Sequence, residues 1–577
     1  MATKHEDILS IDQFLGLNQS ADNLRMSFAA SGYNFSVNHG VLQSVREPYR
    51  CATETGVNPD FPIKDYETSR DLTMTLAFIS QRWKDGYSGA IPADTTWLIT
   101  VVDGKIYARK NVSGLNKNFV GTDWIEIYDG AFVDDLFDCV TYEINYAPPV
   151  IFTLEMLVDV ANGKDNWYVY DNDDYAYHAV KHKDGAGYYT NLDGEEKPVN
   201  VDESYVRLGY SYPVDALLMS NAKDGMFLVY CEPAGAGNET TLKVVRIKVQ
   251  PIGETEEMKF GCIARYAERI WGAGIETDPD KLVYSAPYDV FNWEQNNREP
   301  DDGAGDIQQP DWDGDGFRAL RSFGNQLVCF KKHSIWAITG TSPGAFYMRK
   351  QYGHGTIYED SIAVYGGSMF FVTDTGMHAY DAISVSPVKH GYIDTHLKNF
   401  MGGNVRNSIG CMCAGKYYFT LSNMVSESAM LCYDTIEGTI SEYALAPFAM
   451  AAHDDQVYMI TPDEGKVQLS VLEGTGAAEM EYTTAWTDFG AKHVVKSEFE
   501  VYLAASVYMG DKVKVKLSIE TESRKKEKEV TLESGKIKRV RLNAKGRKLR
   551  FGIHADRQED PWNLMGGVQI AYSLDYD

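Results

Sequence analysis

The residues best placed to do chemistry are Asp311-Trp312-Asp313-Gly314-Asp315-Gly316. Carboxylates at alternating positions before a sharp glycine turn match the first half of a calcium loop. The twelfth position is Ser322 instead of a bidentate Glu, so Asp311, Asp313 and Asp315 make an incomplete calcium candidate. The plainer expectation is an acidic turn leading into a strand at Phe317-Arg318-Ala319-Leu320. Gly353-His354-Gly355 could place an imidazole at a pore or an active site, but no partner stands nearby in sequence and a turn explains it as well. Cys411 and Cys413 share a face of one strand, but two thiols fall short of the four ligands of a structural zinc. The eight cysteines otherwise stand singly, which suits buried free thiols in a reducing compartment. No G-x-S-x-G elbow, H-E-x-x-H, P-loop or dinucleotide fingerprint occurs. With 82 Asp and Glu, some carboxylate pair at glycosidase spacing is assured by number alone and carries no information. No cofactor is expected.

The elements that must position these residues are short strands separated by Gly, Asp and Ser turns. Leu327-Val328-Cys329-Phe330 is followed by Ile335-Trp336-Ala337-Ile338; Met369-Phe370-Phe371-Val372 turns through Asp374-Thr375-Gly376 into Met377-His378-Ala379-Tyr380. Thr96–Val102 and Lys105–Ala108 flank Asp103-Gly104, a strong hairpin signal. Similar hairpins at roughly 40-residue intervals predict a β-propeller of about five to seven four-stranded blades over 71–475. Residues 111–204 break the rhythm with acidic, tyrosine-rich turns and a short helical pattern at Phe152–Val160, and are expected to be an insertion between blade strands. Residues 1–70 read as an extended arm or edge strand packing on a later domain. From about 480 to 577, strict apolar/charged alternation, as in Val513-Lys514-Val515-Lys516-Leu517, predicts an antiparallel β-sandwich. The fold class is therefore all-β: a propeller with an inserted segment and a C-terminal antiparallel sandwich.

Charge narrows the partners. Residues 491–550 hold 17 Lys and Arg against 8 Asp and Glu, a balance of +9 within a chain of −27, which leaves −36 elsewhere. An acidic body makes no duplex-binding groove, because phosphate neutralisation needs Lys and Arg. It could line a passage that DNA crosses without sticking. Asp171, Asp173, Asp174 and Tyr175 are the candidates for that lining, with the basic segment on the outside. Lys525, Lys526 and Lys528, interleaved with Glu527 and Glu529, suit a solvated hairpin better than a nucleic-acid patch. The N-terminus opens without an apolar leader-like run, and the best apolar stretch, Pro148–Val160, is short and contains Glu155 and Asp159, so no membrane insertion is expected.

Three features together resemble the β-propeller tail-nozzle and packaged-DNA stabilisation (head-closure) proteins of short-tailed bacteriophages. They are the opening Phe14-Leu15-Gly16-Leu17-Asn18 with Asn34 and Gly40-Val41-Leu42, the stretch from Arg269-Ile270-Trp271-Gly272 through Ser334–Gly340 to Ser361-Ile362, and the terminal sandwich after Trp486. The resemblance is one of style over most of the chain, and the 111–204 segment has no counterpart in it. It implies a virion structural protein, assembled in the host cytoplasm and located in the tail. There it would form a ring of six copies, in contact with portal or adaptor and other tail proteins. Packaged DNA would be retained and then passed at ejection without specific binding. It brings no catalytic residues. The alternatives are a receptor- or glycan-binding propeller at the tail tip and a propeller glycoside hydrolase, which would need an acid/base pair in a closed pocket.

Overall fold

The structure is a computed structural model that describes residues 5–15, 17, 29–51, 74–81, 94–112, 119, 122–146, 149–151, 154–162, 167–171, 176–191, 194–200, 204–206, 212–234, 239–250, 256–295, 301, 303–308, 315–351, 354–388, 405–423, 428–445, 447–463, 466–472, 474 and 476–575.

Antiparallel meanders, each hydrogen-bonded to its neighbour in sequence, give seven propeller blades among the described residues. Blade one is Leu76–Gln81, Thr95–Val102, Lys105–Val112 and Trp124–Asp129. Its central hairpin turns at Asp103 and Gly104, with φ of 50° and 77°, the left-handed pair that a two-residue turn between twisted strands requires. Blade two is Asp138–Tyr146, Tyr212–Asn221, Gly225–Ala234 and Glu239–Ile247; blade three is Cys262–Tyr266, Arg269–Ala273, Lys281–Tyr284 and Gly305–Gln308. Blade four runs through Ala319–Phe323, Gln326–Phe330, Ile335–Thr339 and Tyr347–Gln351, and blade five through Ala363–Tyr365, Ser368–Thr373, Gly376–Tyr380 and Val385–Pro387. Blade six has a broken first strand, Val405–Asn407 and Gly410–Cys413, then Lys416–Asn423, Ser428–Asp434 and Thr439–Tyr443. Blade seven takes Ala449–His453, Gln456–Asp463 and Lys466–Val471 from the late chain and its outermost strand, Tyr49–Arg50, from the beginning.

Apolar residues between neighbouring blades close the ring. Blades three and four, for instance, share Trp271, Leu282, Leu327 and Ile338, all buried. Phe370 of blade five stacks on Tyr417 of blade six, and blade seven returns to blade one through Leu98, Tyr458 and Val471. There Phe78 stacks on His453 with ring centroids 4.7 Å apart. Each blade is buried on both faces by its neighbours, which is why its strands read as short apolar runs and not as strict alternation.

The C-terminal sandwich is confirmed in its late strands, but both chain ends build it. One sheet orders Phe35–Asn38, Val41–Ser44, Trp562–Asp575, Val495–Val507 and Lys538–Gly546, with His5–Ile11 also paired to Trp562–Asp575. The other orders Ala29–Tyr33, Met480–Thr484, Leu549–Ala555, Lys512–Thr521 and Lys525–Glu533. The first fifty residues therefore supply integral strands of both domains, where a packed arm was expected. Phe14 and Phe35 are buried edge-on against Tyr482, each at 5.2 Å.

The expected 111–204 insertion needs correction. Trp124–Asp129 completes blade one and Asp138–Tyr146 begins blade two, so the inserted module lies only between Tyr146 and Tyr212. Both strands escape the pattern for physical reasons. The first is an outer strand with no fully buried position, and the second, though Val140, Tyr142 and Ile144 alternate inward, is cut off from its partner strand Tyr212–Asn221 by the module itself. The module holds the helix Leu154–Ala161, close to the expected span, and two small sheets around Leu157, Trp167, Val180, Tyr189 and Val199.

Candidate functional site

Asp315 is buried just before blade four, and its two carboxylate oxygens accept the backbone N–H groups of Lys332 (3.0 Å) and His333 (2.8 Å). It fixes the turn between the second and third strands of that blade. Asp311 and Asp313 lie outside the described residues. Among the described residues no group of three or more His, Cys, Asp and Glu is arranged to hold a metal ion. Asp315→Ala should lower stability by about 1–3 kcal/mol, the net worth of hydrogen bonds to a charged carboxylate, and added calcium should leave the wild-type melting temperature unchanged. Calorimetry with and without calcium checks both.

His354 is exposed, 5.9 Å from the ring of His378. The glycine that follows it answers to packing. A Cβ at Gly355 would lie 1.8 Å from the Lys331 carbonyl oxygen, so the link from blade four to blade five passes only as glycine. His378 is buried, its imidazole hydrogen-bonded to Thr373 Oγ1 at 3.1 Å, and burial lowers its pKa, favouring the neutral ring. Cys411 and Cys413 are buried between blades six and seven with Cys432. In register, Tyr418 stands between Cys411 and Cys432, so those two thiols sit two strands apart, too far for a disulfide. Burial pushes the Cys432 thiol up to about 12 and Cys411 higher still, so both are protonated and unreactive.

Of the expected channel-lining residues, Asp171 is placed otherwise. It is 6% exposed inside the inserted module, accepting from Tyr189 Oη at 2.9 Å and from Lys197 Nζ at 2.7 Å. A small module with few apolar residues gains from such a satisfied network, and the carboxylate is spent on holding two strands together. Asp173, Asp174 and Tyr175 lie outside the described residues.

The structure instead assembles charge on the propeller axis. The first strands of blades two, three and four touch in turn near that axis, as do those of blades five, six, seven and one. Asp138, at the start of blade two, binds Arg321 of blade four through Nη1, at 3.0 Å to one carboxylate oxygen and 3.1 Å to the other. The same carboxylate accepts the Ile263 backbone N–H of blade three at 2.9 Å, so one ion pair staples three blades. Beside it, Glu359 and Asp360 stand in a 3-10 turn ahead of blade five. Burial first, then Glu359 next to it, raises the Asp360 carboxyl to about 7 against the pull of Arg321. Glu359 is likewise raised by burial. No sequence spacing announces this cluster, because its members lie 222 residues apart at the extremes, from Asp138 to Asp360. The only local sign is a polar residue in a short apolar strand, as in Ala319-Leu320-Arg321.

A second concavity of about 470 Å³ lies where the sandwich meets blade six, lined by Tyr33, Arg46, Glu47, Glu479 and Arg557 among others. Tyr33 Oη donates to Glu479 at 2.9 Å, and burial together with that carboxylate pushes the phenol up to about 12. Arg557 pairs with Glu47. These groups satisfy one another across a domain seam.

No family model and no curated protein matches this chain. Solved structures similar to it include the WD40 domain of Neurospora crassa Pan2, at 8% identity over 53% of this chain and 88% of that one, with a TM-score of 0.26. The β-propeller domain of the Trilobed protease from Pyrococcus furiosus gives 12% over 53% and 93%, TM-score 0.22. The acylaminoacyl peptidase of Pyrococcus horikoshii gives 9% over 72% of this chain and 58% of its own length, TM-score 0.24. At these values they add nothing to the blade topology already given by strand pairing, and nothing on activity.

Proposed function

We propose that the chain is a structural subunit of a bacteriophage tail channel. Copies of it would form a ring, six by the family resemblance, that holds packaged DNA and conducts it at ejection without specific binding. On this reading it is no enzyme, and its partners are its own copies, the portal or adaptor and other tail proteins. The observation that carries the reading is the double closure by the N-terminal segment. His5–Ile11, Ala29–Tyr33 and Val41–Ser44 are hydrogen-bonded into the sandwich built by the other chain end, and Tyr49–Arg50 close the propeller. A body closed twice by strand pairing resists being pulled open, which suits a part that must withstand the pressure of packed DNA.

Charge supports the same reading. The basic strands of the sandwich neutralise part of their charge across the hairpin: Lys512 faces Glu533, Lys516 faces Glu529 and Lys525 faces Glu520. Glu500, hydrogen-bonded first to Arg539 and then to Arg541, is held down to about 2. What remains is a modest positive surplus suited to an acidic neighbour, while the −36 body repels duplex. Negative-stain images of the purified protein and of its virion should show a ring with a central opening, and binding to duplex DNA at physiological salt should be absent. A protein that stays monomeric, absent from any virion ring and retained on a glycan array, would overturn the proposal, as would tight duplex binding with a steep salt slope.

A further inference from the structure

Residues 286–294 leave the third strand of blade three as a tightly bonded loop. Val290 and Trp293 anchor it from below, 1% and 3% exposed. Trp293 Nε1 donates to the Val290 carbonyl at 2.7 Å, and the Ala286 N–H to the Asn292 carbonyl at 2.8 Å. The side chains of Asp289 and Asn292 accept the N–H groups of Phe291 (2.9 Å) and Glu294 (3.0 Å). Between these anchors the side chains stand out: Tyr288 is 75% exposed and Phe291 37%. The Tyr288 N–H donates to the Glu268 carbonyl at 2.8 Å, which sets the loop against the first turn of the same blade. There Glu268 pairs with Arg265 at 3.1 Å, and the Arg265 guanidinium sits 5.8 Å from the Tyr142 ring centroid.

Tyr288 has a φ of 61°, a left-handed conformation that a bulky side chain adopts only at a cost. Phe119 and Phe489 share it, at 59° and 56°. Phe119 is fully buried in return, and Phe489 packs on Tyr572 with ring centroids 4.6 Å apart. Tyr288 has no such compensation, since its ring stands in water. The exposed residues nearby in the blade, Glu294, Gln295 and Asp306, are polar. The ring is therefore not the edge of a broad apolar patch such as the roughly 800 Å² per partner of a stable protein interface.

We propose that this pair of turns on blade three is a binding platform for a neutral oligosaccharide. The Tyr288 ring meets the C–H face of one sugar ring, an apolar surface of matching size, and Phe291 extends the contact. Among the described residues the second oxygen of Asp289 and the amide nitrogen of Asn292 carry no hydrogen bond, so an acceptor and a donor are open to the sugar hydroxyls. Charge sets the class. One guanidinium, Arg265, stands with the carboxylates of Glu268, Asp289 and Glu294, an acidic surplus that repels sialylated, sulfated or phosphorylated sugars. Because the loop's backbone bonds are already made, little ordering entropy is lost on binding. Neither self-assembly nor DNA enters this inference, so it stands apart from the tail-channel proposal.

An array of neutral hexose and N-acetylhexosamine oligosaccharides, printed beside sialylated and sulfated ones and probed with the full-length chain, tests it. Calorimetry on the strongest neutral hit gives the affinity. The wild type should be retained by neutral members alone. Tyr288→Ala should weaken that binding by about tenfold or more, the order a lost aromatic stacking contact carries, and Tyr288→Phe should keep it. Tyr288→Gly should lose binding yet melt no lower than the wild type, because glycine takes a φ of 61° freely. A merely structural tyrosine would instead lower the melting temperature when removed. No retention of the wild type, retention confined to acidic sugars, or binding that survives Tyr288→Ala would each overturn the platform. So would a chain that ignores every sugar but whose self-association Tyr288→Ala breaks, which would mark the tyrosine as a protein contact. A ring seen in negative stain with no sugar bound would sink the platform and leave the channel proposal standing.

Discussion

Removal of residues 1–50 should abolish cooperative folding of the whole chain, not of one domain. The segment buries Phe14, Leu17, Phe35 and Leu42 in the sandwich, each 1% exposed or less. At about 1.5–3 kcal/mol per buried side chain, these four alone contribute on the order of 10 kcal/mol. That is comparable to the net stability of about 5–15 kcal/mol that a typical domain possesses. The same truncation strips Tyr49–Arg50 from blade seven and exposes the outer edge of Lys466–Val471, which then pairs only with Gln456–Asp463, an invitation to aggregate. Soluble yield and calorimetry of the truncated chain provide the check. A truncated protein that is monodisperse and melts in one transition within about 5 °C of the full chain would show that the strand exchange is not what closes the body. Phe35→Ala is the milder version, with an expected cost of about 3–5 kcal/mol.

The second large effect is expected at Arg269. Its guanidinium is 2% exposed and donates to the carbonyls of Ser285 at 2.8 Å, Gly303 at 2.5 Å and Asp301, with its cation 5.3 Å from the Tyr284 ring centroid. Three carbonyls from two chain segments of blade three converge on one planar donor fork. Arg269→Met keeps the volume and removes every donor, so the carbonyls stay buried without partners. An expected loss of about 3–5 kcal/mol follows from breaking such a buried charged contact. Arg269→Lys should recover little, since a single ammonium cannot span the three acceptors in their fixed geometry. Urea midpoints at constant slope measure both variants; a lysine variant within about 1 kcal/mol of wild type would contradict the fork argument.

Blade hairpins such as Leu327–Phe330 with Ile335–Ile338 were legible in the sequence because tight turns and short apolar strands are local: Gly and Asp set the turn, and the next few residues pair at once. The sandwich strands were legible for the same reason, since one buried face imposes alternation on Lys512–Thr521 whatever it pairs with. Axial and outer strands were not. Trp124–Asp129 is half solvated and shows no buried face, and Asp138–Tyr146 alternates on Val140, Tyr142 and Ile144 but finds its partner strand, Tyr212–Asn221, only beyond the inserted module, so both passed for part of an insertion.

The candidate site divides along the same line. The acidic run at Asp315 was visible in sequence, but its role was not, because its carboxylate holds Lys332 and His333 across the blade. By itself the sequence determined the all-β class, the punctuation into four-stranded units, the terminal sandwich and the split of charge between a basic segment and an acidic body. Tertiary structure alone decided that the first fifty residues belong to both domains, that Asp171 is spent inside its module, and that Asp138, Arg321, Glu359 and Asp360 meet. Periodicity and turn chemistry act over a few residues and are written in order along the chain. Ring closure and axial convergence join residues hundreds of positions apart, and only packing the seven blades around one axis brings them within reach of a hydrogen bond.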